Sequence, residues 1–359
     1  MPIQKAYSIL RKKVMDKTKK EKIALQVIKT LYSRFENFPE DASDNRNAPF
    51  HEAFLEAFKV KLEKHVTSVP IFVSLASWMH GLNTSIGQSF FERTSQILCD
   101  GEKRKFKDLY ISESQQSVVN EIISSLKNNT SKPNLKKENE QIFSIKEKAS
   151  LSIPNFDADV YYEDINNIVV IEIKTVKPNS GIFKVEKEKI LLAKAAFKNL
   201  YPQKNIFYYL AFPFDPLNEE KCGYDKKRFF NYSVDFKKFF DNNEVLLANE
   251  FWDFLSEENE TMQNILAIIN SISKPDFMTD YNFINDSHNL ILQPKRYKKI
   301  LEQWFLIRES KILENYRTLQ DLSNKDKKIM KLLNQNLFDN EGKYKEDRIA
   351  FLINLLQLL

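Results

Sequence analysis

Glycine is scarce in this 359-residue chain: there are six, none arranged as GxGxxG or GxxxxGK[ST], so phosphate cradles of the nucleotide-binding kinds are absent. Histidine is scarcer. Its four copies, at positions 51, 65, 80 and 288, make no HExxH and no close pair, which argues against a histidine metal centre or a nucleophile triad. The two cysteines, Cys99 and Cys222, stand far apart without a CxxC pair; this argues against structural zinc and suits a reducing compartment. No run of about 18 apolar residues occurs, so no spanning helix is expected. The opening MPIQKAYSILRKKVMDKTKKEK is too charged to hold the apolar part of a secretion signal, and the expected location is the cytoplasm.

What is present is a 42% hydrophobic chain, long enough for two or three domains or one elaborated core. Its net charge of +5 is unevenly spread. Eight lysines fall between Lys174 and Lys204 against only Glu186 and Glu188, a local +6. A solvated helix face is one reading of that run. The other is a surface facing phosphates.

Residues 1–110 read as helical, with IALQVIKTLYSRF and FHEAFLEAFKVKLEKHV apolar at three- and four-residue intervals and EDASDNRNAP as connector. SESQQSVVNEIISSLKNN continues the helical pattern, and 128–141 reads as a loop. Strands are then expected in IFSIKEKASLSI, ADVYYE and IVVIEIKT, a helix in FKVEKEKILLAKAAFKNL, and a strand in NIFYYLAF. Helices return from Tyr224 onward. The expected domains are a helical 1–110, a core at 111–215 that also takes in the helix at 84–99, and a mainly helical 216–359.

The chemistry concentrates in DADVYYEDINNIVVIEIKT, residues 157–175. With Asp164 to Asn167 as the loop, antiparallel pairing sets Tyr161 opposite Val170, Asp159 opposite Glu172 and Asp157 opposite Lys174. All share one face, because strand side chains alternate. Two carboxylates that close repel, and a divalent cation offsets them. Hard oxygen ligands without histidine favour Mg²⁺. Lys174 can then orient water and stabilise charge developing on a phosphate. The bland alternative is a cross-strand ion-pair ladder. Against it, IVVIEIK reads as a strand buried on both faces, where unpaired charge is costly.

Asp159 heading VYYE, followed by Glu172-Ile173-Lys174 in an α-β-β-β-α-β order, resembles the PD-(D/E)XK nuclease superfamily. The longer words EIKTVKPNSG (172–181) and HGLNTSIGQSFFERTSQIL (80–98) look like type II restriction endonucleases of the TdeIII/MjaII kind. That resemblance implies an α/β core with a mixed sheet flanked by helices, and Mg²⁺ held by Asp159, Glu172 and the Ile173 carbonyl, with Lys174 catalytic. Asp157 stays a rival for the metal role, because the proline usually preceding the aspartate is missing. Relatives often add a glutamate from a preceding helix, for which Glu92 and Glu121 both qualify, Glu92 being favoured. The resemblance further implies duplex DNA cut at a palindrome of the GGNCC type by a homodimer, with a methyltransferase protecting the same site.

Expected DNA contacts are Lys177, Asn179, Ser180, Lys184 and Lys187 along the scissile strand, with Arg228 in GYDKKRFFNYSVDFKKFF available for a bidentate contact to guanine. The alternative for that last segment is core aromatics with basic residues outward. Other functions left open are a repair or recombination nuclease, a catalytically silent DNA-binding relative, and a sugar-nucleotide transferase using Asp157-Ala-Asp159.

Overall fold

A computed structural model describes residues 14–39, 55, 62, 64, 69–175, 180–231, 234–324 and 326–358. It divides into two compact units, one built on Phe91–Asn264 and the other on Asp16–Phe90 with Ile265–Leu359.

The first unit is a mixed α/β structure. Its five-stranded sheet has the order β1-β4-β5-β6-β7, formed by β1 (Glu102–Phe106), β4 (Phe156–Glu163), β5 (Asn167–Ile173), β6 (Asn205–Phe212) and β7 (Val245–Leu247). The first three strands are antiparallel and the last three parallel. A separate ribbon pairs β2 (Tyr110–Ile111) with β3 (Leu151–Ser152). Described helices of this unit are α1 (Glu92–Cys99), α2 (Glu113–Lys127), α3 (Leu135–Phe143), α4 (Ser180–Leu200), α5 (Lys226–Asn231), α6 (Val234–Phe239) and α7 (Asn249–Ser256). Helix α4 is the crossover between parallel β5 and β6, and α2, α3 and α6 pack on it. Helix α1 packs on β4 and α7.

The hairpin register follows from side-chain chemistry. Ile168, Val169, Val170 and Ile171 are all buried, as a central strand covered on both faces requires. Tyr161 pairs with Val170 and Glu163 with Ile168, the expected register. Asp164 closes the loop by accepting from the N–H groups of Asn166 and Asn167 at 2.8 and 2.7 Å, an Asx turn.

Four expectations are corrected. Residues 102–106, expected to be helical, form the charged edge strand β1. Charge on an edge blocks unwanted pairing and hides the strand from a hydrophobicity reading. Part of the 128–141 loop is α3, whose Asn134 cap accepts from the Lys137 N–H at 2.9 Å. The strand expected over 142–153 shrinks to Leu151–Ser152, because Ile142 and Phe143 finish α3. The C-terminal helical region contributes β7 to the sheet, so the boundary expected at 215 moves past Leu247.

The second unit is helical where described, from Lys17–Phe35 to Glu346–Gln357. One of its cores joins Ile312, Leu319, Ile329, Leu333, Ile349 and Leu352. Nearly all of the helix expected at 50–66 lies outside the described residues. No described helix is long and apolar enough to cross a membrane.

Candidate active site

Acidic side chains from two neighbouring strands meet where β4 begins and β5 ends. The Ile173 N–H donates to Asp159 Oδ2 at 2.8 Å, tying the first acid to the strand that carries the second. On the other side, Gln96 of α1 donates from Nε2 to the Asp159 carbonyl at 2.9 Å. Glu92 lies one turn before Gln96 and so shares its helix face. Its carboxylate accepts from Lys103 Nζ of β1 at 2.7 Å. Glu121 is exposed on α2.

Glu172 enters a closed ring of four charges. Lys174 Nζ lies 2.9 Å from Glu172 Oε1 and 2.8 Å from Glu186 Oε1. Lys189 Nζ lies 3.1 Å from Glu172 Oε2 and 2.7 Å from Glu186 Oε2. Glu186 and Lys189 are one turn apart on α4. The Lys174 backbone is fixed too, its N–H donating to the Ala211 carbonyl at the end of β6 at 2.9 Å.

The electrostatics distinguish these groups. Burial and then the charge of Glu172 push Asp159 up to about 6, against a smaller lowering by the Ile173 N–H. Burial pulls Lys174 down, but Glu172 and Glu186 outweigh it and hold the ammonium above the ordinary lysine value. Burial pushes Glu186 up, and the two lysines more than reverse that. Tyr208 of β6 is buried, its hydroxyl has no hydrogen-bond partner among the described residues, and burial followed by Glu172, Glu186 and Asp159 drives its ionisation well up.

A raised carboxyl pKa destabilises the ionised fold. Between its ordinary value and about 6, Asp159 holds a proton in the folded protein that the unfolded chain has released, so stability falls as pH rises through that window. Asp159→Asn is therefore expected to stabilise the cation-free protein at pH 8 by about 2 kcal/mol and to have little effect at pH 4. Urea unfolding at both pH values measures this. A variant no more stable than wild type at pH 8 would show that the carboxylate carries no such cost.

The site separates the expected residues. Asp159, Glu172, Ile173, Lys174 and Glu92 are brought together. Asp157 is not: its carboxylate faces Lys105 Nζ at 3.5 Å on the edge strand, whereas Lys174 turns to the glutamates. Lys187, expected on DNA, has no exposed side-chain surface and lies 2.6 Å from both Glu138 and Glu244. A fully buried ammonium cannot touch a phosphate on the duplex. Arg228, expected to read guanine, is held by Asp215 at 3.2 Å and Asn218 at 3.0 Å. The lysine run is largely paired, with Lys194 also on Glu244 and Lys204 on Glu163. Lys184 is half-buried. Lys177 and Asn179 and the Ser180 side chain lie outside the described residues. Glu186, Lys189, Lys103, Gln96 and Tyr208 were missed. The spacing Glu186-x-x-Lys189, one helical turn, was the available signal for the first two.

A mixed five-stranded sheet flanked by helices, with acids on adjacent strands, is consistent with a restriction endonuclease fold. The chain belongs to the type II restriction endonuclease family HinfI, whose model matches residues 15–273. It is 40% identical to the type II restriction enzyme MjaII of Methanocaldococcus jannaschii, over 93% of this chain and 96% of that protein. No solved structure matches. The protein is thus a site-specific endonuclease with DNA as substrate.

Proposed function

We propose that the protein is a Mg²⁺-dependent PD-(D/E)XK enzyme of the cytoplasm that hydrolyses both strands of duplex DNA at a short palindrome of the GGNCC type. It acts as a homodimer beside a methyltransferase of the same specificity. The observation that carries the reading is the junction of Asp159 with the Glu172-Ile173-Lys174 strand through the 2.8 Å bond from the Ile173 N–H.

The donors fit a hard divalent cation. Glu172 Oε2 and Glu186 Oε2 are buried with Lys189 as their ion-pair partner, and Asp159 is raised by burial and by the charge of Glu172, a cost that a bound cation would offset. Among the described residues no group of three or more His, Cys, Asp or Glu side chains forms a ready metal cage. Two carboxylates with the Ile173 carbonyl, completed by water and phosphate, are what magnesium accepts. Bound there, the cation would polarise the phosphate and acidify water.

Lys174 stays protonated at neutral pH, since its surroundings raise its pKa. It therefore serves as a fixed positive charge that orients the attacking water and stabilises the pentacoordinate phosphorus, not as a general base. Glu186 fixes that ammonium from the helix side. Glu92 adds a carboxylate that can orient water through its place beside Asp159. The remaining proposed DNA contacts, Lys177, Asn179, Ser180 and Lys184, follow on the same stretch of chain.

Digestion of a sequenced plasmid with Mg²⁺, with and without excess EDTA, tests the reading. Discrete fragments with ends mapping to GGNCC and complete loss of cutting in EDTA are expected. Cutting that persists in EDTA, or ends without a common sequence, would sink the assignment of cation or of site.

A further inference from the structure

We infer that a lysine-lined groove beside α5 and α6 is a second DNA-contacting surface, which grips the phosphate backbone of duplex flanking the cleaved site. The inference rests on the reading of this chain as an endonuclease of duplex DNA.

The groove encloses about 910 Å³ and is lined by Lys132, Lys226, Lys227, Lys237 and Lys238 against one carboxylate, Asp241. That carboxylate is already engaged. Its Oδ1 accepts from the Asn243 N–H at 2.9 Å and its Oδ2 from the Leu135 N–H at 3.1 Å. Lys226 is neutralised by Glu250 at 2.8 Å. Lys132, Lys227, Lys237 and Lys238 enter no ion pair among the described residues, so four uncompensated positive charges share one concavity. Such a field concentrates a polyanion.

The charges are mounted on a packed base. Phe236 of α6 lies 4.7 Å from Phe230, 4.9 Å from Phe183 and 5.8 Å from Phe212 between ring centres. Phe212 ends β6, next to the Ala211 carbonyl that anchors Lys174. Groove and acid site thus stand at the same carboxyl end of the parallel strands, where ligands of open α/β sheets bind. Helix α4 lies between them. Glu186 and Lys189 turn to Glu172, whereas Phe183 and Lys187 turn to α6 and Glu244. One helix diameter, about 10–12 Å, corresponds to about three or four nucleotides along a strand. The groove therefore addresses flanking phosphates and not the scissile one.

The lining contains lysine but no arginine. Lysine ammoniums act as point charges without the planar fork that reads guanine, so this surface positions duplex without selecting sequence.

The test measures binding of a site-containing duplex in EDTA by fluorescence anisotropy across a potassium chloride series. Wild type is compared with Lys237→Glu/Lys238→Glu and with Lys146→Glu/Lys148→Glu, which makes the same charge change at exposed positions outside the groove lining. The groove variant is expected to lose about two from the slope of log affinity against log salt, and about 10- to 100-fold in affinity at 0.1 M salt, while the other variant keeps the wild-type slope. Trimming the duplex to two base pairs beyond the site should weaken wild type by about tenfold and leave the groove variant unaffected. Should Lys237→Glu/Lys238→Glu unfold, Lys132→Glu/Lys227→Glu carries the same expectation. Groove variants with a full salt slope, or both charge changes acting equally, overturn the groove while wild-type cutting still upholds the endonuclease reading. A wild type that cuts no duplex overturns both.

Discussion

Alanine in place of Glu172 or Lys174 is expected to lower the cleavage rate by about a thousandfold or more while site-specific binding persists. The two substitutions act by different routes. Glu172→Ala removes the acid that Lys174 and Lys189 share, leaving both ammoniums on Glu186. Lys174→Ala keeps the acids and removes the positive charge whose backbone is pinned to Ala211. Lys174→Arg keeps the charge but exchanges a compact ammonium for a broad planar group, and should recover little activity. Single-turnover cleavage measures the rate, and gel shift with Ca²⁺ measures binding. Either alanine variant cutting within tenfold of wild type would remove that residue from the chemistry.

The second large effect is on stability. Lys187→Met is expected to destabilise the protein by about 3–5 kcal/mol, because it strands Glu138 and leaves Glu244 with Lys194 alone. The Lys187 ammonium is 2.6 Å from each acid, and Lys194 reaches Glu244 at 3.4 Å, which closes a balanced buried network. Burial pulls Lys187 down, yet Glu244 and Glu138 outweigh it and keep it charged. Replacing Lys187 and Glu138 together by methionine should recover much of the loss, since an apolar replacement removes the stranded charge. Guanidinium unfolding measures both. A loss below about 1 kcal/mol for Lys187→Met would mean that water, and not the two glutamates, carries this ammonium.

The hairpin was legible for a simple reason. Asp164-Ile-Asn-Asn167 is turn chemistry, the β-branched run after it is a buried strand, and period-two alternation then places Asp159 and Glu172 together. Edge strand β1 was illegible because EKRKF has no apolar alternation and exists only through its pairing with β4. Lys187 was misread because a lysine in a run looks the same whether it faces water or a distant acid, and Glu244 lies 57 positions further on. The partners of Arg228 were hidden in the same way, since Asp215 and Asn218 approach only once the loop after β6 folds back. Local pattern located the acids; long-range pairing decided which basic groups remain available to a ligand.

The division of the chain has a consequence for its synthesis. Every strand of the sheet-bearing unit lies within one stretch, Phe91–Asn264, whereas the helical unit draws on Asp16–Phe90 and on Ile265–Leu359. A ribosome finishes the first long before it delivers the second half of the other. The newborn polypeptide thus owns every strand of its cutting core while the helices encoded ahead of that core still await their late-made companions.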